Sequence, residues 1–299
     1  LILPGYRGPD DMLRRPGPPL LLASLTLIAL AITGVLAKLV PLTRQGDERT
    51  LNGFVDLNAP HLTPALNAVA HLADPAPYAI AGVVLALVAL ARGRGRVALA
   101  IPLIFVATGA TTEALKHLLA TPRFDEWLGH AQIASASWPS GHSTAAMTMA
   151  LCAVIAAPPR LRPTVAAIGG AFALAVAYAI LTLGWHFPSD VFGGYLVAAT
   201  YVLVAISAVA ASERRRPSRS GVEAGSRPVD LVPALGVALV CASVAAGVAL
   251  ARPHALVSYA ADHTTFVAGA AAIAALAALL AGVMATGFRA TARDARGNA

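Results

Sequence analysis

The sequence predicts an all-α, polytopic transmembrane helical bundle of about eight spans: a six-helix core followed by a C-terminal helix pair. Three observations lead there. Hydrophobic residues make up 57% of the 299-residue chain and charged residues only 12%, about half the charged share of a soluble globular domain. The apolar residues are gathered into eight runs, most near the roughly 20 residues that a helix needs to cross a hydrocarbon core. The arginines lie between those runs, clustered in alternate loops, the pattern of the positive-inside rule.

The runs are 19–40, 76–91, 97–119, 143–158, 164–183, 191–211, 231–251 and 266–288. Each is expected to be a helix, because lipid leaves an open backbone no other way to pair. Residues 1–17 read as a cytoplasmic N-terminal segment, in which 1–11 look like an upstream extension and Met12 like a natural start. The pair Arg14-Arg15 before an apolar run suggests a signal peptide. The run from 18 to 40 exceeds an h-region of about 7–15 residues, however, and no small-x-small cleavage site follows it, so it reads as a retained span. The second and fourth runs are short but bounded by charged or Pro-rich breaks. Residues 51–75 are too polar to span. The spacing of Phe54, Leu57, Leu62, Leu66 and Val69 predicts a helix lying along the outer interface.

The organisation that results is a membrane domain over 18–211, a basic cytoplasmic linker over 212–230, a helix pair over 231–288 and a cytoplasmic tail over 289–299. The linker is rich in Arg, Ser, Gly and Pro and reads as flexible. With the N-terminus in the cytoplasm, 16 Lys and Arg residues fall inside and 6 outside, and both termini come out cytoplasmic. The outer six are Lys38, Arg44, Arg49, Lys116, Arg123 and Arg252.

Several classes are excluded on the same grounds. The formal charge of +7 sits in short inter-span loops, so nucleic acid is not an expected partner. Cys152 and Cys241 both lie in apolar runs, which rules out a disulfide framework. No Cys/His spacing of a zinc site and no calcium loop is present, so neither metal nor cofactor is expected. A channel or carrier would place charge in the middle of several spans. Here the middles of the spans carry none, and Glu113 and Lys116 lie near the outer end of the third.

Most of the unusual polar residues collect at three places that the topology puts on one face: Lys116 to Arg123 bracketing the outer end of the third span, Pro139-Ser140-Gly141-His142 opening the fourth, and His186-Phe187-Pro188-Ser189-Asp190 between the fifth and sixth. Arg presents a planar fork to phosphate oxygens and Lys a point charge. Ser140-Gly141 at a helix start aims backbone N–H groups outward, a natural anion site. Asp190 follows His186 at helical spacing, within reach of the imidazole, where it would fix the tautomer. His142 is placed to protonate a leaving oxygen. The remaining histidines, His71 among them, read as interfacial residues, and Trp127, Trp138 and Trp185 as an aromatic belt.

This pattern resembles the type 2 phosphatidic acid phosphatase family of membrane lipid phosphatases, whose site is shared with vanadium haloperoxidases. Lys116 and Arg123 match its first motif in spacing, with Phe124 where Pro is usual. Pro139 to His142 match the second in full. His186 and Asp190 match the third, while Ala179 and Ile180 stand where the family has Ser-Arg. The resemblance covers about residues 50–211. It implies that His186 attacks phosphorus and forms a phosphohistidine, that Asp190 orients it and that His142 protonates the leaving group. It further implies that Lys116, Arg123, Ser140 and Gly141 hold the phosphate oxygens without a metal. The partner it implies is a membrane lipid phosphate or pyrophosphate: a polyprenyl pyrophosphate, phosphatidylglycerol phosphate or phosphatidic acid. The Ala- and Arg-rich composition suits a bacterial plasma membrane, and the charge topology puts the three places on its outer face. Losing one arginine contact would cost about 2–4 kcal/mol, or ~10²–10³ in rate. The alternative reading is therefore a catalytically weakened or inactive lipid-phosphate binder or transporter on the same scaffold.

Overall fold

The structure, a computed structural model, describes residues 16–122, 132–216, 228–251 and 253–287. Among these the chain is helical, without a strand. The helices are α1 (Gly17–Leu39), α2 (Pro41–Val55), α3 (Thr63–His71), α4 (Pro75–Ala91), α5 (Gly95–Leu118), α6 (Gly141–Ala156), α7 (Arg162–Thr182), α8 (Pro188–Arg215), α9 (Val232–Ala251), α10 (Pro253–Asp262) and α11 (Thr264–Gly287). Proline opens α2, α4, α8 and α10. It suits the first helical turn and disfavours helical geometry in the residue before it, so it separates consecutive helices.

Each of the eight apolar runs coincides with a helix. Five helical stretches are long and apolar enough to cross a membrane: Gly17–Leu39, Gly95–Leu118, Pro159–Thr182, Pro188–Arg215 and Thr264–Ala285. Helices α3 and α4 pass the same test only as a pair, bent by 45° at the break between them. The chain is therefore a multi-pass membrane protein. α6 and the apolar part of α9 are shorter than a span.

The reason for the short fourth run is visible in its packing. α6 is buried on nearly all sides, from Ser143 through Cys152 and again from Val154 to Ala156. It packs against α4, α5, α7, α8 and α11. A helix apolar around its whole circumference belongs inside a bundle, and one enclosed by protein need not match the bilayer thickness. α8, beside it, is 28 residues long and leans on α1.

The interfacial helix expected over 51–75 is not formed as one element. α2 ends at Val55, a turn follows, and α3 begins at Thr63. Leu51 and Phe54 are buried in the main core, where the Phe54 ring meets Phe266 at 4.8 Å and Tyr178 at 5.3 Å. The apolar spacing reflected packing against protein rather than against lipid headgroups. Of the five apolar positions that set the spacing, Leu57 and Leu62 are exposed. α11 enters the same core through Ile273, Ala277, Leu280 and Met284. Tyr178 Oη donates to Ala270 O at 2.8 Å, and Thr50 Oγ1 to Thr265 O at 3.1 Å.

Candidate active site

The start of α6, the start of α8 and the end of α5 meet at one end of the bundle. Ser140 is the N-cap of α6, and its Oγ accepts from Ser143 N at 3.2 Å, the favoured arrangement for this position. Its own N–H donates to the Asp190 carbonyl at 2.9 Å, tying the two helix starts together. Ser140 is fully buried. It thus lies beneath the site, presenting Gly141 and His142, whose first-turn N–H groups have no acceptor within the helix.

Asp190 is the third residue of α8. Its Oδ2 accepts from Phe187 N at 3.0 Å and from His186 Nδ1 at 3.2 Å. One carboxylate therefore closes the first turn of α8 and orients the imidazole, leaving Nε2 of His186 free of that bond. The Asp190 side chain is only 2% exposed and that of His186 12%. A second carboxylate braces the same turn from below: Asp47 of α2 accepts from Ser189 N at 2.9 Å and Ser189 Oγ at 2.5 Å.

His142 stands across from His186, with ring centroids 6.2 Å apart and planes inclined at 64°. Lys116, in the last turn of α5, pairs with Glu113 at 3.4 Å. Its ammonium also crowds the start of α6: a Cβ at Gly141 would lie 3.3 Å from Nζ. The absence of a side chain at 141 lets the cation approach the helix N-terminus, where positive charge and backbone dipole both favour an anion.

The structure thus brings together His142, His186, Asp190, Lys116, Ser140 and Gly141. Arg123 lies outside the described residues, as do Phe124, Trp127 and most of the basic linker. Ile180 is fully buried in the main apolar core. Trp138 is 2% exposed and packs over Gly34 and Gly193, so it is a wedge between α1 and α8 and not part of a lipid-facing belt. The Trp185 ring lies 5.5 Å from His142 and 5.9 Å from His71, walling the site.

Sequence reasoning missed one site neighbour, Asp74. It sits at the elbow between α3 and α4, with Oδ1 3.2 Å from His142 Nε2 and Oδ2 2.9 Å from His71 Nδ1. The adjacent Pro75 marked a helix start, but nothing local signalled the distant partner. Well away from the histidines, a groove of about 400 Å³ opens between α5, α6 and α8 near Arg94 and Arg214.

The fold and site define a class: a membrane helical bundle with a His–Asp pair, a second histidine and a lysine gathered at helix N-termini. Residues 97–214 match the family described as the PAP2 superfamily, a stretch running from α5 to the end of α8. Among solved structures it is similar to one described as the first transmembrane PAP2 type phosphatidylglycerolphosphate phosphatase from Bacillus subtilis. That likeness has 19% identity and a TM-score of 0.49, over 66% of this chain and 98% of the other. No curated protein matches the chain.

Proposed function

We propose that this protein is an integral membrane phosphatase that hydrolyses a phosphomonoester or pyrophosphate of a lipid at the outer face of the membrane, without a metal. The observation that carries the reading is the pair of imidazoles 6.2 Å apart, one backed by Asp190 and the other on the helix start that Lys116 approaches.

In the proposed reaction the lipid phosphate sits between the two rings. Its oxygens face Lys116, the N–H groups opening α6 and Arg123. His186 Nε2 attacks phosphorus as the bond to the lipid oxygen breaks. Asp190 holds Nδ1–H and offsets the charge on the imidazole. His142 gives its proton to the departing oxygen, and then takes one from the water that attacks the phosphohistidine. Free phosphate leaves and both histidines return to their starting states. As in other phosphoryl transfers, positioning and charge stabilisation supply most of the acceleration.

A panel of phosphatidic acid, phosphatidylglycerol phosphate and polyprenyl pyrophosphate, presented to purified protein in detergent, tests this. Phosphate release that survives a chelator and disappears in His186→Ala is the expected outcome. Release that persists in His186→Ala, or vanishes with the chelator, would refute the mechanism. The second reading, a lipid-phosphate binder, is favoured by Ile180 in place of arginine. It predicts tight binding of one panel member without turnover.

A further inference from the structure

Asp74 is the N-cap of α4, the position at which an Asp ordinarily accepts from a backbone N–H of the first turn. Here it makes no such bond. Its two carboxylate oxygens go instead to two imidazoles, Oδ1 to His142 Nε2 at 3.2 Å and Oδ2 to His71 Nδ1 at 2.9 Å. A carboxylate accepts only, so Nε2 of His142 carries a proton that points at Asp74. Donation to a substrate oxygen then falls to Nδ1. The ring that donates from Nδ1 while holding Nε2–H is the imidazolium; burial and the neighbouring His186 hold the His142 pKa below its ordinary value, and the Asp74 carboxylate opposes them.

On the reading of this site as a phosphatase centre, we infer that Asp74 is a positioning residue for the general acid: it fixes the His142 ring with Nδ1 toward the leaving oxygen, and His71 holds Asp74 in place. The site then contains two His–Asp pairs of opposite polarity. Asp190 takes Nδ1 of His186 and leaves Nε2 to attack. Asp74 takes Nε2 of His142 and leaves Nδ1 to protonate. The outer pair comes from the bend between α3 and α4, an element that none of the three sequence motifs includes. Exposure rises along the chain of contacts, from 25% at His142 through 36% at Asp74 to 58% at His71. The anchoring residue is therefore at the rim and can be changed without opening the core.

The test is leaving-group dependence. Two single-chain phosphomonoesters with matched tails are used, one leaving as an alkoxide and one as a nitrophenolate. The alkoxide needs a proton in the transition state and the nitrophenolate does not. Asp74→Asn is expected to slow the alkyl ester at least about tenfold more than the nitrophenyl ester, a part of the ~10²–10⁴ that a general acid contributes. His71→Ala is expected to show the same skew in smaller degree. Equal loss on both esters would mean a structural role and overturn the inference, and so would no loss on either. If Asp74→Asn does not fold, His71→Ala decides alone by the same criterion. Wild-type protein that hydrolyses neither ester, or hydrolyses them undiminished in His186→Ala, removes the phosphatase reading itself and this inference with it.

Discussion

Position 180 shows how a single residue separates the family pattern from this chain. The third motif places an arginine where Ile180 stands, and an arginine there could help to hold a phosphate. In this bundle Ile180 is 0% exposed and packed in the main core. An arginine at that point would bring a charge into an apolar interior, and an uncompensated buried charge costs about 3–5 kcal/mol. Ile180→Arg is therefore expected to lower the unfolding temperature of the detergent-solubilised protein and to give no gain in turnover. A rise in phosphate release with unchanged stability would show that the side chain reaches the site after all. The same scale explains what the sequence disclosed. His142, His186, Asp190 and Lys116 were legible because each lies in a short string whose local chemistry is informative. Asp74 was not, because its partner His142 is 68 positions away and its own neighbourhood reads as an ordinary helix cap. Asp47 was hidden for the same reason, being 142 positions from Ser189.

At the scale of elements, the site depends on how closely α6 and α8 approach. Ser140 N donates to Asp190 O, and a bond of that kind requires the two helix starts to touch. Gly194 permits it. A Cβ there would fall 2.8 Å from both Ser140 O and Thr144 N. These are backbone atoms that cannot swing aside, so the helices would have to separate. Overpacking of this kind typically costs about 1–3 kcal/mol. Gly194→Ala should lower stability by that order, and should lower turnover further than stability alone explains, because the displaced residue is the cap that presents His142. Comparing turnover per folded molecule with the wild type checks this. Unchanged turnover in the folded fraction would show that the helix spacing is not what sets the site. Elements were also where the sequence reading went astray. The apolar positions of 51–75 have a helical spacing, but periodicity does not say whether the face they form meets lipid or protein. Phe54 meets Tyr178 and Phe266.

For the whole molecule, hydropathy located the helices and could not say which of them share a core. The C-terminal pair reads in sequence as an appendage after a basic linker. α11 nevertheless packs against α2, α6, α7 and α8, and Gly170 admits Ala281 at a distance where a Cβ would lie 3.2 Å away. The orientation of this assembly rests on charge. The ends of the bundle differ: one carries Arg94, Arg96, Arg160, Arg162 and Arg214, while the other carries the two histidines with Lys116. Arginine-rich loops stay on the cytoplasmic side, and on that ground we propose that the histidine end faces outside. Single cysteines introduced into a Cys241→Ser background test the assignment, the remaining Cys152 being buried. Asn58→Cys, exposed near the histidine end, should react with a membrane-impermeant maleimide in intact cells. Arg160→Cys, exposed at the other end, should react only after the membrane is opened. The reverse pattern would turn the molecule over. The phosphate chemistry would then face the cytoplasm, and any lipid it acts on would have to be presented from the inner leaflet.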